Sequence, residues 1–222
     1  MSDQTLIPPS PSQADYEAAE QAAAPSLDPS CDPLDLFAEW MAEAVKSEPN
    51  DPNAMTLATV DADGAPDGRI VLLKALDARG FSFFTNLNSA KGQELAANPR
   101  AALVFHWKSL HRQVRVRGAI ERVSDAEADA YFATRSRVSR LGAWASDQSK
   151  TLSEPALLRG RLEGMQKRFE GIEPPRPPHW SGYRLIPQAI EFWRDGAFRL
   201  HERLVFERAV EGSPWSARRL FP

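Results

Sequence analysis

Two cations enclose a short apolar run in the first half of the chain. Arg69 and Lys74 flank residues 70–73, which are Ile, Val, Leu and Leu. Phe84 and Thr85 follow soon after, and Lys91 stands a few residues further on. Positive side chains at the ends of a buried-looking strand can form charge-assisted hydrogen bonds with an anion. The pattern therefore predicts a site for an anionic ligand.

A second group of functional side chains lies far downstream. Trp193 is followed by Arg199, His201 and Arg203. Side chains at alternate positions of a strand point to the same face. If this segment is a strand, Arg199 and His201 can meet one ligand together. A lone histidine on a strand is more often structural, so this pair is a hypothesis about function.

A third group falls within nine residues, at Tyr131, Arg135 and Ser139. Residues four apart on a helix share a face. A helix followed by a tight loop could bring the phenol, the guanidinium and the hydroxyl together. From the residues alone, however, the favoured interpretation is a packed tyrosine beside a solvated arginine.

Composition limits the kinds of protein that this chain can be. The 222 residues are 42% hydrophobic and 26% charged, which suits one sizeable core. The formal net charge of -3 creates no broad positive field for nucleic acid or an acidic membrane. Cys31 is the single cysteine, and no apolar run is long enough to cross a bilayer. We expect a cytoplasmic protein that binds an anion through a local cluster of cations.

The chain divides into a tail and one domain. Residues 1–32 are rich in Pro, Ser, Ala and acidic groups, and we expect a disordered tail there. Residues 33–222 form the predicted single domain, beginning with a helix capped by Asp32 with Pro33 in its first turn. We also expect helices at residues 89–98 and 153–169, and one capped by Ser124. Strands are predicted at residues 54–60, 69–76, 81–85, 101–107, 112–123, 180–186, 189–194, 199–206 and 215–220.

These strands are short and separated by turns, which is typical of an antiparallel sheet. Gly64 and Gly80 each end an Asp-X-X-Gly sequence that suits a hairpin turn. Closing such a sheet into a barrel would remove its exposed edges. The predicted fold is mainly β with inserted helices, as a closed or partly closed barrel.

From about Pro52 to the C-terminus, these segments resemble the pyridoxine/pyridoxamine 5'-phosphate oxidase family in order and nearly in spacing. The resemblance implies an FMN-binding split β-barrel, with the flavin bound across a homodimer interface. One departure concerns the flavin phosphate. Ala90 stands where many family members have arginine, so one bidentate contact is missing.

The four histidines show no metal-ligand spacing, so no metal site is predicted. The resemblance also assigns roles to individual residues. It places Arg199 and His201 as the catalytic pair over the substrate pyridine ring. Substrate-binding positions are Lys74, Tyr131, Arg135, Ser139, Arg199 and His201. Positions similar to the flavin site are Arg69, Lys74, Phe84, Thr85, Lys91, Gln113, Gln148, Ser149, Trp193 and Arg203.

The activity implied by the resemblance is oxidation of pyridoxine and pyridoxamine 5'-phosphates by O2. The products would be pyridoxal 5'-phosphate and H2O2, with NH3 released from the amine. Two alternatives stay open: a split-barrel flavoprotein oxidase with another substrate, and a non-catalytic protein that binds FMN or pyridoxal phosphate. Tyr16 lies among acidic residues and alanines and has no predicted role. His106 and His111 are predicted to have surface or packing roles.

Overall fold

The computed structural model describes residues 10–21 and 25–222. Nine strands and six α-helices occur in these ranges. The strands are β1 (Ala54–Val60), β2 (Pro66–Leu72), β3 (Ala75–Asp77), β4 (Gly80–Asn86), β5 (Arg100–Trp107), β6 (Arg112–Arg122), β7 (Trp180–Arg194), β8 (Glu202–Glu207) and β9 (Ser216–Leu220). The helices are α1 (Gln13–Gln21), α2 (Pro33–Ser47), α3 (Ala90–Ala97), α4 (Asp125–Thr134), α5 (Arg137–Ala145) and α6 (Pro155–Arg168). No helix in the described ranges has the length and apolar character needed to cross a bilayer.

All strand pairs are antiparallel, and they form one sheet that curls into a half-barrel. The sheet order is β2-β1-β5-β6-β7-β4-β3, and β8 pairs with both β7 and β9. The predicted hairpin turns are present, with Gly64 and Gly80 at φ values of 87° and 146°. Such positive values favour glycine because it has no Cβ. The predicted barrel of antiparallel strands with inserted helices is confirmed.

Strand β7 organises this sheet because it pairs with three others. Along one edge, β4 pairs with its first half and β8 with its second half. The other edge pairs with β6 over nearly its full length, with a register shift between Arg117 and Gly118. Two strands predicted at residues 180–186 and 189–194 are thus one continuous strand. The ladder is irregular where Pro187 faces Gly118, and a proline is tolerated at such a position.

The inner face of the curled sheet forms the core, and α2 closes it. Along β1, buried and half-buried residues alternate, as expected for a strand with one covered face. Phe37 of α2 is 1% exposed and meets Phe81, Phe105 and Trp107 at ring-centroid distances of 4.9, 4.9 and 5.8 Å. The predicted helix therefore packs through one face, while Val45 on its other side is 61% exposed.

The N-terminal segment departs from the predicted tail. Residues 13–21 form α1, and residues 25–32 are held against the sheet. Leu27 is 8% exposed, its N–H donates to Glu202 at 2.8 Å, and its carbonyl accepts from Arg219 at 2.7 Å. These contacts join residues far apart in sequence, and local composition does not report them. The remaining tail residues, 1–9 and 22–24, lie outside the described ranges.

Helix α4 starts at a network of charged groups. Ser124 and Glu127 form a capping box, as predicted for the Ser124 cap. Arg184, whose side chain is 4% exposed, donates to Glu127 at 2.5 Å and to Glu121 at 2.9 Å. The Ser124 backbone N–H and the Arg184 guanidinium are the main reasons why the pKa of Glu127 is far below its usual value. This network fixes the position of α4 on the sheet.

Replacing Phe37 with Ala should lower the free energy of unfolding by about 3–5 kcal/mol, because the vacated volume lies among buried rings. Urea unfolding at one protein concentration measures this loss. The matched control is Val45→Ala on the exposed side of the same helix, with an expected change under about 0.5 kcal/mol. A loss below about 1 kcal/mol for Phe37→Ala would mean that α2 does not close the core.

Replacing Glu127 with Gln should lower the free energy of unfolding at pH 7 by about 1–3 kcal/mol, because charged hydrogen bonds are lost. The folded-state pKa of Glu127 is depressed, so its contribution is present above the unfolded pKa of about 4.3 and fades as the pH falls. The difference in free energy of unfolding between variant and wild type should therefore shrink as the pH falls below about 5. Urea unfolding across this pH range tests it, with the exposed Glu163→Gln on α6 as control. A difference independent of pH would contradict the role of the carboxylate charge.

Candidate active site

A cavity of about 880 Å³ opens between β2, β4, α3, α4 and α5. Two of the three predicted groups meet there, and the downstream group does not. Its lining includes these predicted residues: Arg69, Lys74, Phe84, Thr85, Lys91, Tyr131, Arg135, Ser139 and Gln148. We call this space the first cavity. Its size is within the range of pockets that enclose small ligands.

Lys91 brings a buried positive charge to the first cavity. It lies in the first turn of α3, where Ser89 caps the helix, and it is 9% exposed. Burial, with a smaller effect of nearby Arg69, lowers the pKa of Lys91. Among the described residues its ammonium forms no ion pair, and its hydrogen bond is to Gln148 at 3.5 Å. A buried cation at a helix N-terminus is well suited to an anion.

Gln148 connects Lys91 to strand β4. Its Oε1 also accepts from the Thr85 hydroxyl at 3.2 Å, so the predicted lysine, threonine and glutamine share one contact point. Ser149, the next residue, is exposed at a φ of 70° and lies outside the cavity lining. Its role in cofactor binding stays a prediction.

Arg69 lines the first cavity, but acidic groups hold its guanidinium. Nη2 lies 2.5 Å from Asp67 and 2.8 Å from Glu94, and Nη1 donates to the Thr59 hydroxyl. Its side chain is 18% exposed. The ion pairs neutralise much of its charge, so Arg69 differs from Lys91 and stays a predicted cofactor contact.

Arg135 is not on the helix, contrary to the i, i+4 argument made from sequence. It is the C-cap residue of α4 with extended φ and ψ of -73° and 147°. A second helix, α5, begins at Arg137 and carries Ser139, where a tight loop was predicted. Tyr131, Arg135 and Ser139 nevertheless line the same cavity. The predicted convergence therefore comes from a break between two helices instead of one helical face.

Aromatic rings form one wall of this cavity. Phe84 stacks on Tyr131 at 4.1 Å and on Trp180 at 5.5 Å. The Arg135 guanidinium lies 4.9 Å from the Trp180 ring. Burial lowers the pKa of Arg135, and its buried Nη1 has no hydrogen-bond acceptor within the described ranges. Sequence reasoning gave Trp180 no role.

A second cavity, of about 490 Å³, lies at the far end of β7. Trp193, Arg199 and His201 line it, as does Asp195. His201 Nδ1 is 2.9 Å from Asp195 Oδ1, and the Trp193 and His201 rings are 4.7 Å apart. His106, Lys108 and His111 complete the lining. Sequence reasoning gave these two histidines no part in a site, because only tertiary structure brings the β5-β6 turn to β7.

The predicted strand over residues 199–206 is wrong at its start. Residues Ala197–Arg199 form a 3-10 turn, and β8 begins only at Glu202. Phe198 and Arg199 have φ values of 54° and 62°, a conformation that costs energy for residues other than glycine. Arg199 and His201 therefore share a cavity without sharing a strand face. The Phe198 ring meets Tyr16 of α1 at 5.2 Å, a contact that the sequence did not indicate.

Gln113, Trp193 and Arg203 stand side by side on β6, β7 and β8. Strand register pairs Trp193 with both of the others. Glu191, which is 6% exposed, accepts from Arg203 Nε at 2.8 Å and also pairs with Arg115. The Phe221 carbonyl accepts from Arg203 at 3.1 Å. The Arg203 guanidinium is therefore fixed next to Trp193.

The two cavities share no lining residue, and β7 separates their tryptophans. Trp180 lies at its first position and Trp193 at its fourteenth, thirteen residues further along. A straight strand of that length spans roughly 40 Å. No small ligand can contact both tryptophans of one protomer. The predicted site residues therefore form two groups in this chain, one at each cavity.

Comparison with known proteins identifies the family to which this chain belongs. Residues 41–169 match the family described as pyridoxamine 5'-phosphate oxidase. Residues 180–222 match the family described as the pyridoxine 5'-phosphate oxidase C-terminal dimerisation region. The second match includes β7, β8 and β9.

Full-length relatives agree with these matches. A pyridoxine/pyridoxamine 5'-phosphate oxidase of Caulobacter vibrioides is 62% identical over 99% of each chain. One from Azorhizobium caulinodans is 55% identical over 100% of each chain. Among solved structures, PhzG from Burkholderia lata in complex with tetrahydrophenazine-1-carboxylic acid is 32% identical, with a TM-score of 0.81 over 88% of this chain and 95% of that one. The chain belongs to the pyridoxine/pyridoxamine 5'-phosphate oxidase family.

Proposed function

We propose that this protein is an FMN-dependent oxidase that converts pyridoxine 5'-phosphate and pyridoxamine 5'-phosphate to pyridoxal 5'-phosphate with O2. The reaction releases H2O2. When the amine is the substrate, water hydrolyses the imine formed first and gives the aldehyde and NH3. One observation carries the proposal: Lys91 and Arg135 hold positive charge in the first cavity, and neither has a carboxylate partner among residues 10–21 and 25–222. The full-length relatives named for this activity support it. The unpaired Cys31 is consistent with a cytoplasmic enzyme.

The residues present fit a flavin phosphate even though Ala90 offers no side-chain donor. The partly desolvated Lys91 ammonium and the N-terminal turn of α3 together favour an anion. Thr85 and Gln148 supply neighbouring polar atoms. Bound FMN supplies the two-electron acceptor for oxidation at C4' of the substrate, and O2 takes those electrons to give H2O2.

The substrate phosphate belongs next to the flavin site. Arg135 offers unused N–H donors, and Tyr131 and Ser139 add hydroxyl groups to the same wall. Lys74, which is exposed at the edge of the cavity, adds a further positive charge. Charge-assisted hydrogen bonds from such a set select a dianion over a neutral group.

Arg199 and His201 then act on the substrate from the second cavity of another protomer. Because β7 keeps them away from the Trp180 wall, one chain alone does not supply both groups. In a two-fold dimer, the first cavity of each copy can face the second cavity of the other. Gln113, Trp193 and Arg203 would reach the flavin by the same route. The match to a dimerisation region over residues 180–222 supports this assembly.

Within that assembly, the protein contributes mainly by positioning. Arg199 orients the pyridine ring and stabilises charge that develops at the reacting carbon. His201 holds the ring, with Asp195 fixing the imidazole at 2.9 Å. Holding reactants in a productive geometry can account for about 7–11 kcal/mol of a barrier.

Replacing Arg199 with Ala should slow oxidation of pyridoxine 5'-phosphate by roughly 100-fold or more, as for loss of a group that stabilises developing charge. The protein is loaded with FMN and mixed anaerobically with the substrate, and the visible flavin band is followed. Wild type should bleach and recover its colour in air. The control is Arg159→Ala, an exposed arginine on α6 outside both cavities, which should behave as wild type.

Three other outcomes would count against the proposal. A bound flavin that stays oxidised with both vitamin B6 phosphates would indicate an oxidase with another substrate. Because PhzG, which is 32% identical, was solved with a tetrahydrophenazine ring system, a ring-system compound would be the next substrate to test. Failure to bind FMN would indicate a non-catalytic protein. Equal bleaching by Arg199→Ala and wild type would remove Arg199 from its proposed role.

A further inference from the structure

We infer that Trp180 is a positioning residue for the substrate phosphate, because it holds the Arg135 guanidinium on its ring face and leaves the charge and the N–H donors of Arg135 unused. This inference rests on the proposed function, in which Arg135 binds that phosphate. Nothing in the sequence had suggested a role for Trp180.

Arg135 has an unusual environment for a partly buried arginine. Its guanidinium lies 4.9 Å from the Trp180 ring and 5.6 Å from the Phe132 ring. Its Nη1 is buried without an acceptor, and among the described residues it forms no ion pair. Burying a charge without a partner is costly. Aromatic faces offset part of that cost, and indole does so best.

Unlike Arg135, neighbouring arginines form ion pairs with carboxylates in the described part of the chain. Arg176 pairs with Asp125 at 2.9 Å and Asp129 at 2.5 Å, and Arg184 pairs with three carboxylates. A carboxylate would neutralise Arg135 and occupy its in-plane N–H groups. The face of an aromatic ring does neither, because it attracts the guanidinium without occupying the N–H groups in the guanidinium plane. Trp180 therefore fixes the guanidinium while its hydrogen-bonding edge stays available to a phosphate.

The Trp180 ring itself has little freedom to move. It is 6% exposed and opens β7 opposite Asn86. It stacks with Phe84 at an interplanar angle of 9° and lies at 11° to Tyr131. A ring held on several sides can impose its orientation on Arg135. The same packing joins Trp180 to Phe84 and Tyr131, so one wall serves both predicted ligands.

The test compares 4'-deoxypyridoxine 5'-phosphate with 4'-deoxypyridoxine. Both carry a methyl group at C4', so neither reduces the flavin nor forms a Schiff base. Equilibrium dialysis on the FMN-loaded protein gives the two dissociation constants, and their ratio measures what the phosphate contributes. In Trp180→Leu this ratio should fall by roughly 2- to 30-fold, the range of a cation–π contact. Trp180→Phe keeps a ring and should lose less than Trp180→Leu.

A matched control separates this role from general packing. Trp144 also lies under an arginine, with Arg168 at 5.1 Å, but it lines neither cavity. Trp144→Leu should leave the ratio unchanged. If Trp180→Leu weakens both compounds equally, Trp180 is only a packing residue and the inference fails. If Trp180→Leu does not fold, Trp180→Phe decides: a reduced ratio supports the inference, and an unchanged ratio contradicts it.

The wild-type protein distinguishes this inference from the proposed function. A preference for the phosphorylated compound without turnover of pyridoxine 5'-phosphate would overturn the proposed function alone. Turnover with an unchanged phosphate preference in Trp180→Leu and Trp180→Phe would overturn only the inference. A wild type that shows no phosphate preference would overturn both, because Arg135 would then hold no phosphate.

Discussion

The length of β7 decides how the predicted site residues can be combined. Trp180, at the start of this strand, lines the first cavity, and Trp193, near its end, lines the second cavity. The same strand pairs with β4, β6 and β8, so neither end can shift without breaking the sheet. A small substrate that needs both groups must therefore draw them from two protomers. The dimerisation region to which residues 180–222 belong lies along this strand.

Charge pairing separates structural cations from those available to ligands. Arg176 and Arg184 are each held by carboxylates, and their positions are fixed before any ligand binds. Lys91 and Arg135 are partly desolvated, and the part of the chain that the structure describes gives them no carboxylate partner. Their unfavourable burial is relieved when an anion binds, so part of the folding stability is given up for ligand affinity. Arg69 lies between these cases, since Asp67 and Glu94 already hold it.

Local rules predicted the framework of the fold. Short runs of β-branched or aromatic residues between turn signals located β1, β4, β5 and β6 to within a few residues, and the glycines at positive φ marked both hairpin turns. Helix α5 was missed because it is only nine residues long, follows α4 after a two-residue break and contains Gly142, which lowers helix propensity. The turn at Ala197–Arg199 was missed because the sequence Arg199-Leu200-His201 alternates as a strand would.

The site was predictable where the resemblance supplied it and not where tertiary contacts decide. Nine predicted residues line the first cavity, and Trp193, Arg199 and His201 line the second. The lining residues to which the sequence analysis assigned no site role include Trp180, Asp195 and the two histidines near the β5-β6 turn. Their roles depend on neighbours that are remote in sequence, as does the anchoring of Leu27 by Glu202 and Arg219. Spacing along the chain carries no signal for such contacts.

The most direct test of a site shared by two protomers is complementation between inactive variants. Lys91→Ala disables the first cavity and Arg199→Ala the second, and a heterodimer is purified through two different affinity tags. If each site joins two protomers, one of the two sites in this heterodimer is intact. Its activity with pyridoxine 5'-phosphate should then be about half that of the wild-type dimer, as two-fold symmetry requires. A heterodimer as inactive as either parent would show that Lys91 and Arg199 serve the same protomer, and would contradict the shared site.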